Sequence, residues 1–235
     1  MFKSGDYDGK GAQVQSGVQS ADCVGDSVRQ EEFGTGEEKT LLVKRRHRRV
    51  KTTDSRHGLQ RFPNLLRGLK ASRPDQIWVA DITYVRLSAD DVYLAIVMDQ
   101  YSRAIRGWNL SWSLGQEPAL LPFKQALQRY PALEIHHSDQ GRQYAAKAYV
   151  QLLRDAGTQI SVAAAGAPSE NGYAERLIRT IKEEEVFLSD YQCMADARKQ
   201  LGNFIDVVYP QGSVHSALDY LTLAEFEATW NECPP

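Results

Sequence analysis

The sequence predicts an α/β domain built on a mixed five-stranded sheet flanked by helices, and three observations carry that prediction. Residues 77–87 are apolar on both alternating faces. Ile77, Val79, Thr83 and Val85 lie on one face, and Trp78, Ala80, Ile82 and Tyr84 on the other, which is the pattern of a central strand covered on both sides. Two strand-like runs, 92–98 and 104–112, follow across short turns, as in a three-stranded meander. Beyond them helical and strand periods alternate, the order of β-α-β crossovers.

Taken in order, residues 1–40 are rich in Gly, Ser and Gln, poor in large apolar residues and without helical or strand period, and are expected to be disordered. Residues 41–73 form a basic linker. It carries Lys44, Arg45, Arg46, Arg48, Arg49, Lys51, Arg56, Arg61, Arg67, Lys70 and Arg73 against a lone Asp54. The core spans 74–190. After the meander, 117–130 has helical period and stops before Pro131. Residues 133–137 read as a short strand, 143–156 as a helix ending at Gly157, and 159–163 as another strand. An Ala-Gly-Ala-Pro-Ser stretch then precedes a helix carrying Glu175, and residues 191–235 form a small helical C-terminal extension. No internal repeat is visible.

The totals exclude several classes. A chain of 235 residues holds one full-sized domain with appendages, and its longest apolar run, 92–98, is far too short to span a bilayer. The start has no apolar signal core, so no export and no membrane partner are expected. Three scattered cysteines without a CxxC pair suggest neither a disulfide framework nor a zinc site, in keeping with a reducing cytosol. A net charge of −2 and a pI near 6.2 speak weakly against nucleic acid. The linker outweighs that average, because local Lys and Arg neutralise phosphates and release condensed counterions. A merely solvated linker is the structural alternative.

Three carboxylates stand out. Asp81 shares a face with Ile77, Val79 and Val85 in a strand that reads as buried, where a carboxylate is costly unless paired, protonated or bound to a cation. Asp139 follows the end of a strand, where ligand sites of α/β sheets gather, although Asp-x-Gly is also common turn chemistry. Thirty-five residues lie between Asp139 and Glu175. At 100° per residue, Ala174, Leu177, Ile178, Ile181 and Glu185 make the buried stripe of the third segment. Glu175, Arg179 and Lys182 lie within about 60° of one another, roughly 120° from that stripe. This exposed face is either an ordinary i,i+4 ion pair or a metal ligand beside two phosphate contacts. Three carboxylates on separate elements suit hard divalent cations, which take oxygen ligands.

Their surroundings carry a resemblance: Trp78-Val79-Ala80-Asp81-Ile82-Thr83-Tyr84, His137-Ser138-Asp139-Gln140-Gly141 with Tyr144, and Asn171-Gly172-Tyr173-Ala174-Glu175-Arg176. Over about 41–230 the chain resembles the DDE transposases of bacterial insertion sequences, the integrase-core family related to retroviral integrases. The resemblance implies a ribonuclease H-like fold, which the order of strands also fits. It implies catalytic and metal-binding roles for Asp81, Asp139 and Glu175, with two Mg²⁺ ions (or Mn²⁺) as cofactors. It also implies DNA contacts through Arg179 and Lys182, with Lys44, Arg45, Arg46, Arg48 and Arg49 as further DNA-binding candidates. The implied activity is cleavage of DNA at element ends and joining of the 3′-hydroxyl to target DNA, by a homo-oligomer acting on DNA in the bacterial cytoplasm, associated with the nucleoid.

Two readings stand beside it: a metal-dependent nuclease of the same fold, and a catalytically silent DNA-binding remnant. The family's front end usually carries helix-turn-helix modules, which residues 1–40 do not resemble, so a truncated or degenerate copy is expected. Residues 209–223 resemble the family's C-terminal signature but carry Pro210 for Asn, Ser213 for Arg, Asp219 for Gly and Leu223 for Pro. Glu170 and Asp99 are rival carboxylates, both read as turn organisers. His137 reads as a structural histidine before a ligand-orienting one.

Overall fold

The computed structural model describes residues 58–130, 133–164 and 166–232. The expectations for residues 1–40, and for Lys44, Arg45, Arg46, Arg48 and Arg49, lie outside the described residues.

β1 (Ile77–Arg86), β2 (Asp91–Asp99) and β3 (Ile105–Ser111) form an antiparallel meander. α1 (Gln116–Arg129) then crosses over to β4 (Ile135–Ser138), which pairs parallel with β1. The short α2 (Arg142–Ala145) and α3 (Lys147–Asp155) lead to β5 (Gln159–Val162), parallel to β4. The sheet order is β3-β2-β1-β4-β5, so β1 is the central strand. Val79 and Val85 point into one core and Trp78, Ala80 and Ile82 into the other. The both-faced pattern of the sequence is therefore a strand buried on both sides.

α1 and α3 cover the second face: Phe123, Ala126, Tyr149 and Leu153 are buried against Trp78 and Ile82. α1 crosses β3 very closely. A Cβ on Gly107 would stand 2.3 Å from the Pro122 carbonyl oxygen, so only glycine fits there. Pro122 lies inside α1, where its missing N–H leaves the Pro118 carbonyl without a helical partner; the Asn109 side-chain amide on β3 donates to that oxygen at 3.4 Å.

The first face is covered by α4 (Gly172–Ile181), which continues through a π turn (Lys182–Val186), and by the C-terminal helices. α5 (Met194–Asn203), a second π turn (Phe204–Val208) and α6 (Tyr209–Gly212) form one run, ahead of the two-residue strands β6 (Val214–His215) and β7 (Leu221–Thr222) and of α7 (Leu223–Glu232). Ala197, Leu201, Phe204, Ile205 and Tyr209 share one core with β1, β2 and α4. The C-terminal helices thus complete a layer rather than hang from the domain. Thr222 and Glu225 cap α7 reciprocally: Thr222 N–H donates to Glu225 Oε2 at 2.9 Å and Glu225 N–H to Thr222 Oγ1 at 3.3 Å.

Two readings of the sequence need correction. The helix expected over 143–156 is two pieces, because Ala146 is extended (φ −65°, ψ 141°). Tertiary anchors decide this. Gln143 Nε2 donates to the Leu114 carbonyl, and Tyr144 is buried, so the first turn is pulled into the core before α3 begins. Cys193 is disulfide-bonded, against the expectation from cysteine spacing.

Candidate active site

Asp81 lies midway along β1, on the α4 side of the sheet. Its Oδ1 accepts the Ile82 N–H at 2.7 Å. Burial pushes its carboxyl up from 3.8 to about 8, and the charges of Asp139 and then Glu175 add to that rise, against the Ile82 N–H and Lys182. Asp139 and Glu175 therefore both lie within electrostatic reach of Asp81. Among the described residues, no three His, Cys, Asp or Glu side chains stand close enough to hold a metal ion as they are. Hard oxygen donors, two of which raise the pKa of the third, are the donor chemistry that suits a divalent ion.

Asp139 immediately follows β4, level with Asp81 because Ala80 pairs with Ser138. Its Oδ1 accepts the Gly141 N–H at 2.9 Å, and a Cβ on Gly141 would stand 3.0 Å from that same oxygen. The glycine of His-Ser-Asp-Gln-Gly is thus the residue that leaves the carboxylate room.

Glu175 is exposed on the first turn of α4, with Ala174, Leu177 and Ile181 buried beneath. Arg179 is exposed one turn on. Lys182 is half-buried, its ammonium 4.2 Å over the Tyr84 ring. Burial pulls its pKa down while Asp81 pulls it up. The buried stripe sits as helical periodicity predicts at Ala174, Leu177 and Ile181, and the predicted exposed face is exposed at Glu175 and Arg179 but half-buried at Lys182.

The neighbours of the carboxylates hold the site in shape. Asn171 Nδ2 donates to the Ala80 carbonyl at 3.2 Å, tying the start of α4 to β1. His137 Nε2 lies 3.1 Å from the Glu170 carbonyl oxygen and Nδ1 2.8 Å from Ser161 Oγ, so both ring nitrogens are engaged structurally. Glu170 accepts the Ala164 N–H at 2.7 Å and pairs with Arg67 at 2.9 Å, ordering the loop before α4. Asp99 Oδ2 accepts from the Ser102 N–H and hydroxyl, both at 2.7 Å, organising the β2–β3 turn. Neither rival carboxylate is among those acting on Asp81. Asn171 and Tyr84 fall inside the motif strings, but their contacts with Ala80 and Lys182 join separate elements and leave no periodic signal in the sequence.

Two families described as Integrase core domain match residues 71–168 and 156–222. The chain is 33% identical over 169 residues to the transposase for insertion sequence element IS904 of Lactococcus lactis, covering 70% of this chain and 66% of that protein. It is 31% identical over 195 residues to the insertion element IS600 uncharacterized 31 kDa protein of Shigella sonnei, covering 82% of this chain and 72% of that one. The HTLV-2 integrase catalytic core domain in complex with magnesium (trimeric form) matches with a TM-score of 0.53 at 15% identity, over 67% of this chain and 99% of that one. The BIV integrase catalytic core matches with a TM-score of 0.51 at 16% identity, over 67% and 97%. Those structures share the ribonuclease H-like, integrase-type fold. The chain belongs to the DDE transposase family of bacterial insertion sequences. It spans 66% of the IS904 transposase and 55% of the IS629 transposase of Shigella sonnei.

Proposed function

We propose that this chain is a metal-dependent polynucleotidyl transferase, cleaving DNA at insertion-sequence ends and joining the freed 3′-hydroxyl to target DNA. The observation that carries the reading is the Asp81 carboxyl set into the central strand, its pKa raised by burial and by the charges of Asp139 and Glu175 and opposed by Lys182. Asp81, Asp139 and Glu175 would hold Mg²⁺, two ions as in the implied mechanism, or Mn²⁺. Bound divalent ions would polarise the phosphodiester and acidify the attacking water or hydroxyl. Arg179 and Lys182 grip phosphates beside the scissile bond, with the Tyr84 ring steering the lysine. The basic residues at 44–49 extend the DNA contact, and the chain acts as a homo-oligomer on paired ends in the bacterial cytoplasm.

The test is Mg²⁺-dependent cleavage and strand transfer on labelled DNA carrying the element's terminal repeats, with Glu175→Gln alongside. Joined product that disappears in the variant supports the reading. Cleavage without joining favours a nuclease of the same fold. A wild-type chain that shifts DNA but does neither is the silent remnant.

A further inference from the structure

α4 has a second basic flank. By helical geometry Tyr173, Arg176, Leu177 and Thr180 centre about 140° around the axis from Glu175, Arg179 and Lys182. There they wall a cavity of about 190 Å³, closed by Arg103 from the β2–β3 turn and His215 from β6. The Arg103 guanidinium lies 4.1 Å over the Tyr173 ring. Its backbone sits in the left-handed region (φ 67°), uncommon for a non-glycine residue, and is held there by the Asp99-centred turn, to whose Asp99 carbonyl Arg103 N–H donates at 3.0 Å.

His215 Nε2 is buried and makes no hydrogen bond. Burial lowers the imidazole pKa, and the charges of Arg103 and then Arg176 lower it further, so both cations face this ring. Glu184 reaches the same corner, where Tyr209 feels its charge, yet no ion pair joins it to either arginine among the described residues. Arg176 and Tyr173 are also shared with a neighbouring cleft of about 500 Å³ that reaches Arg67 and Lys70.

Among the described residues, two guanidinium groups without carboxylate partners, Arg103 with one N–H given to the Gln100 carbonyl, and a buried imidazole nitrogen lacking a partner converge on one small cavity. The arginines offer donors to an anion, the imidazole does so as its Nε2–H tautomer, and none can satisfy another. A cavity of about 190 Å³ admits a tetrahedral oxyanion, and the cleft beyond it, where Arg67 is paired with Glu170 but Lys70 and Arg176 add positive charge, suits the chain of such groups along a nucleic-acid backbone. We propose that Arg103, Arg176 and His215 form a second phosphate site that holds the DNA backbone on the flank of α4 away from Glu175. This rests on the transposase reading for the identity of the polymer, though not for the anion chemistry.

The test is binding of a fluorescently labelled duplex by the full chain across a range of salt concentrations, followed by anisotropy. Arg176→Gln, an exposed change that leaves the core untouched, is expected to weaken binding about three- to tenfold and flatten the salt slope by roughly 0.9. His215→Gln should weaken binding as well, while Glu117→Gln, an exposed change at the start of α1, should bind like wild type. Unchanged affinity and slope in Arg176→Gln and His215→Gln, with Arg179→Gln weakened, overturns the site and leaves the transposase reading standing. NMR of the His215 imidazole with inorganic phosphate judges the pocket without DNA. A shift that is lost in Arg176→Gln supports the anion site, and no shift overturns it. A shift with phosphate but none with duplex marks a small-anion pocket and overturns the backbone assignment. Failure of the wild-type chain to bind any duplex sinks the transposase reading itself.

Discussion

The Asn171 side-chain amide donates to the Ala80 carbonyl at 3.2 Å, so the first turn of α4 is fastened to the strand residue that precedes Asp81. Glu175 stands one turn further along α4. A single hydrogen bond thereby helps set the separation of two candidate metal ligands contributed by elements more than ninety residues apart.

Asn171→Ala should lower stability by about 1–2 kcal/mol, the typical penalty for leaving a buried carbonyl unpaired. Strand-transfer activity should fall much further than the folded fraction does, because the helix bearing Glu175 loses its tether. Urea melts beside single-turnover assays check this. Activity that follows only the folded fraction would reduce Asn171 to a structural role.

Asp81 makes the metal-free protein pH-sensitive. Its folded pKa, about 8, lies above the ordinary 3.8, so the folded state holds a proton that the unfolded state releases between those values. Its contribution is present below pH 4 and is lost as pH rises through 8, by at most about 1.4 kcal/mol per pH unit. Asp81→Asn should therefore gain stability relative to wild type as pH rises from 5 to 8. Mg²⁺ should raise the melting temperature of wild type at pH 8 but not that of the variant. Thermal melts of both proteins with and without Mg²⁺ would show it, and parallel pH profiles would refute it.

Arg106 holds α7 to the sheet. Its side chain is 3% exposed and pairs with Asp75 at 2.7 Å and Glu227 at 2.5 Å, with the Tyr130 ring 4.2 Å away. Arg106→Ala strands two carboxylates and should cost about 3–5 kcal/mol, while Arg106→Met should recover part of that loss. Chemical denaturation of the two variants is the measurement. Equal losses would show that charge rather than packing carries the whole effect.

Gly107→Ala should destabilise by about 1–3 kcal/mol or more through overpacking, since the added Cβ would meet the Pro122 carbonyl at 2.3 Å. Gly172→Ala, with nothing within 4 Å of the added Cβ, is the control and should melt near wild type. Comparable midpoints for the two variants would contradict the close crossing of α1 over β3.

The C-terminal signature shows what a motif departure means physically. Asp219, where the family has Gly, adopts φ 55°, a left-handed conformation that Asp tolerates better than most residues. Leu223, in place of Pro, is 1% exposed at the start of α7 and adds to the core. Both substitutions fit the backbone they occupy. Nothing in the structure explains Ser213 in place of Arg.

By itself the sequence determined the both-faced burial of β1, the antiparallel-then-parallel order of strands, and the helical face joining Glu175 to Arg179 and Lys182. Those features follow from local period: burial repeats every two residues along a strand and every 3.6 along a helix, and both leave their pattern in adjacent residues. Only the tertiary structure decided that Ala146 breaks a helix, that Asn109 serves the carbonyl opposite Pro122, that Arg106 joins Asp75 to Glu227, and that Arg103, Arg176 and His215 meet around one cavity. Each of these joins residues from separate elements, and no periodicity records which side chains are brought together when a helix layer closes over a sheet.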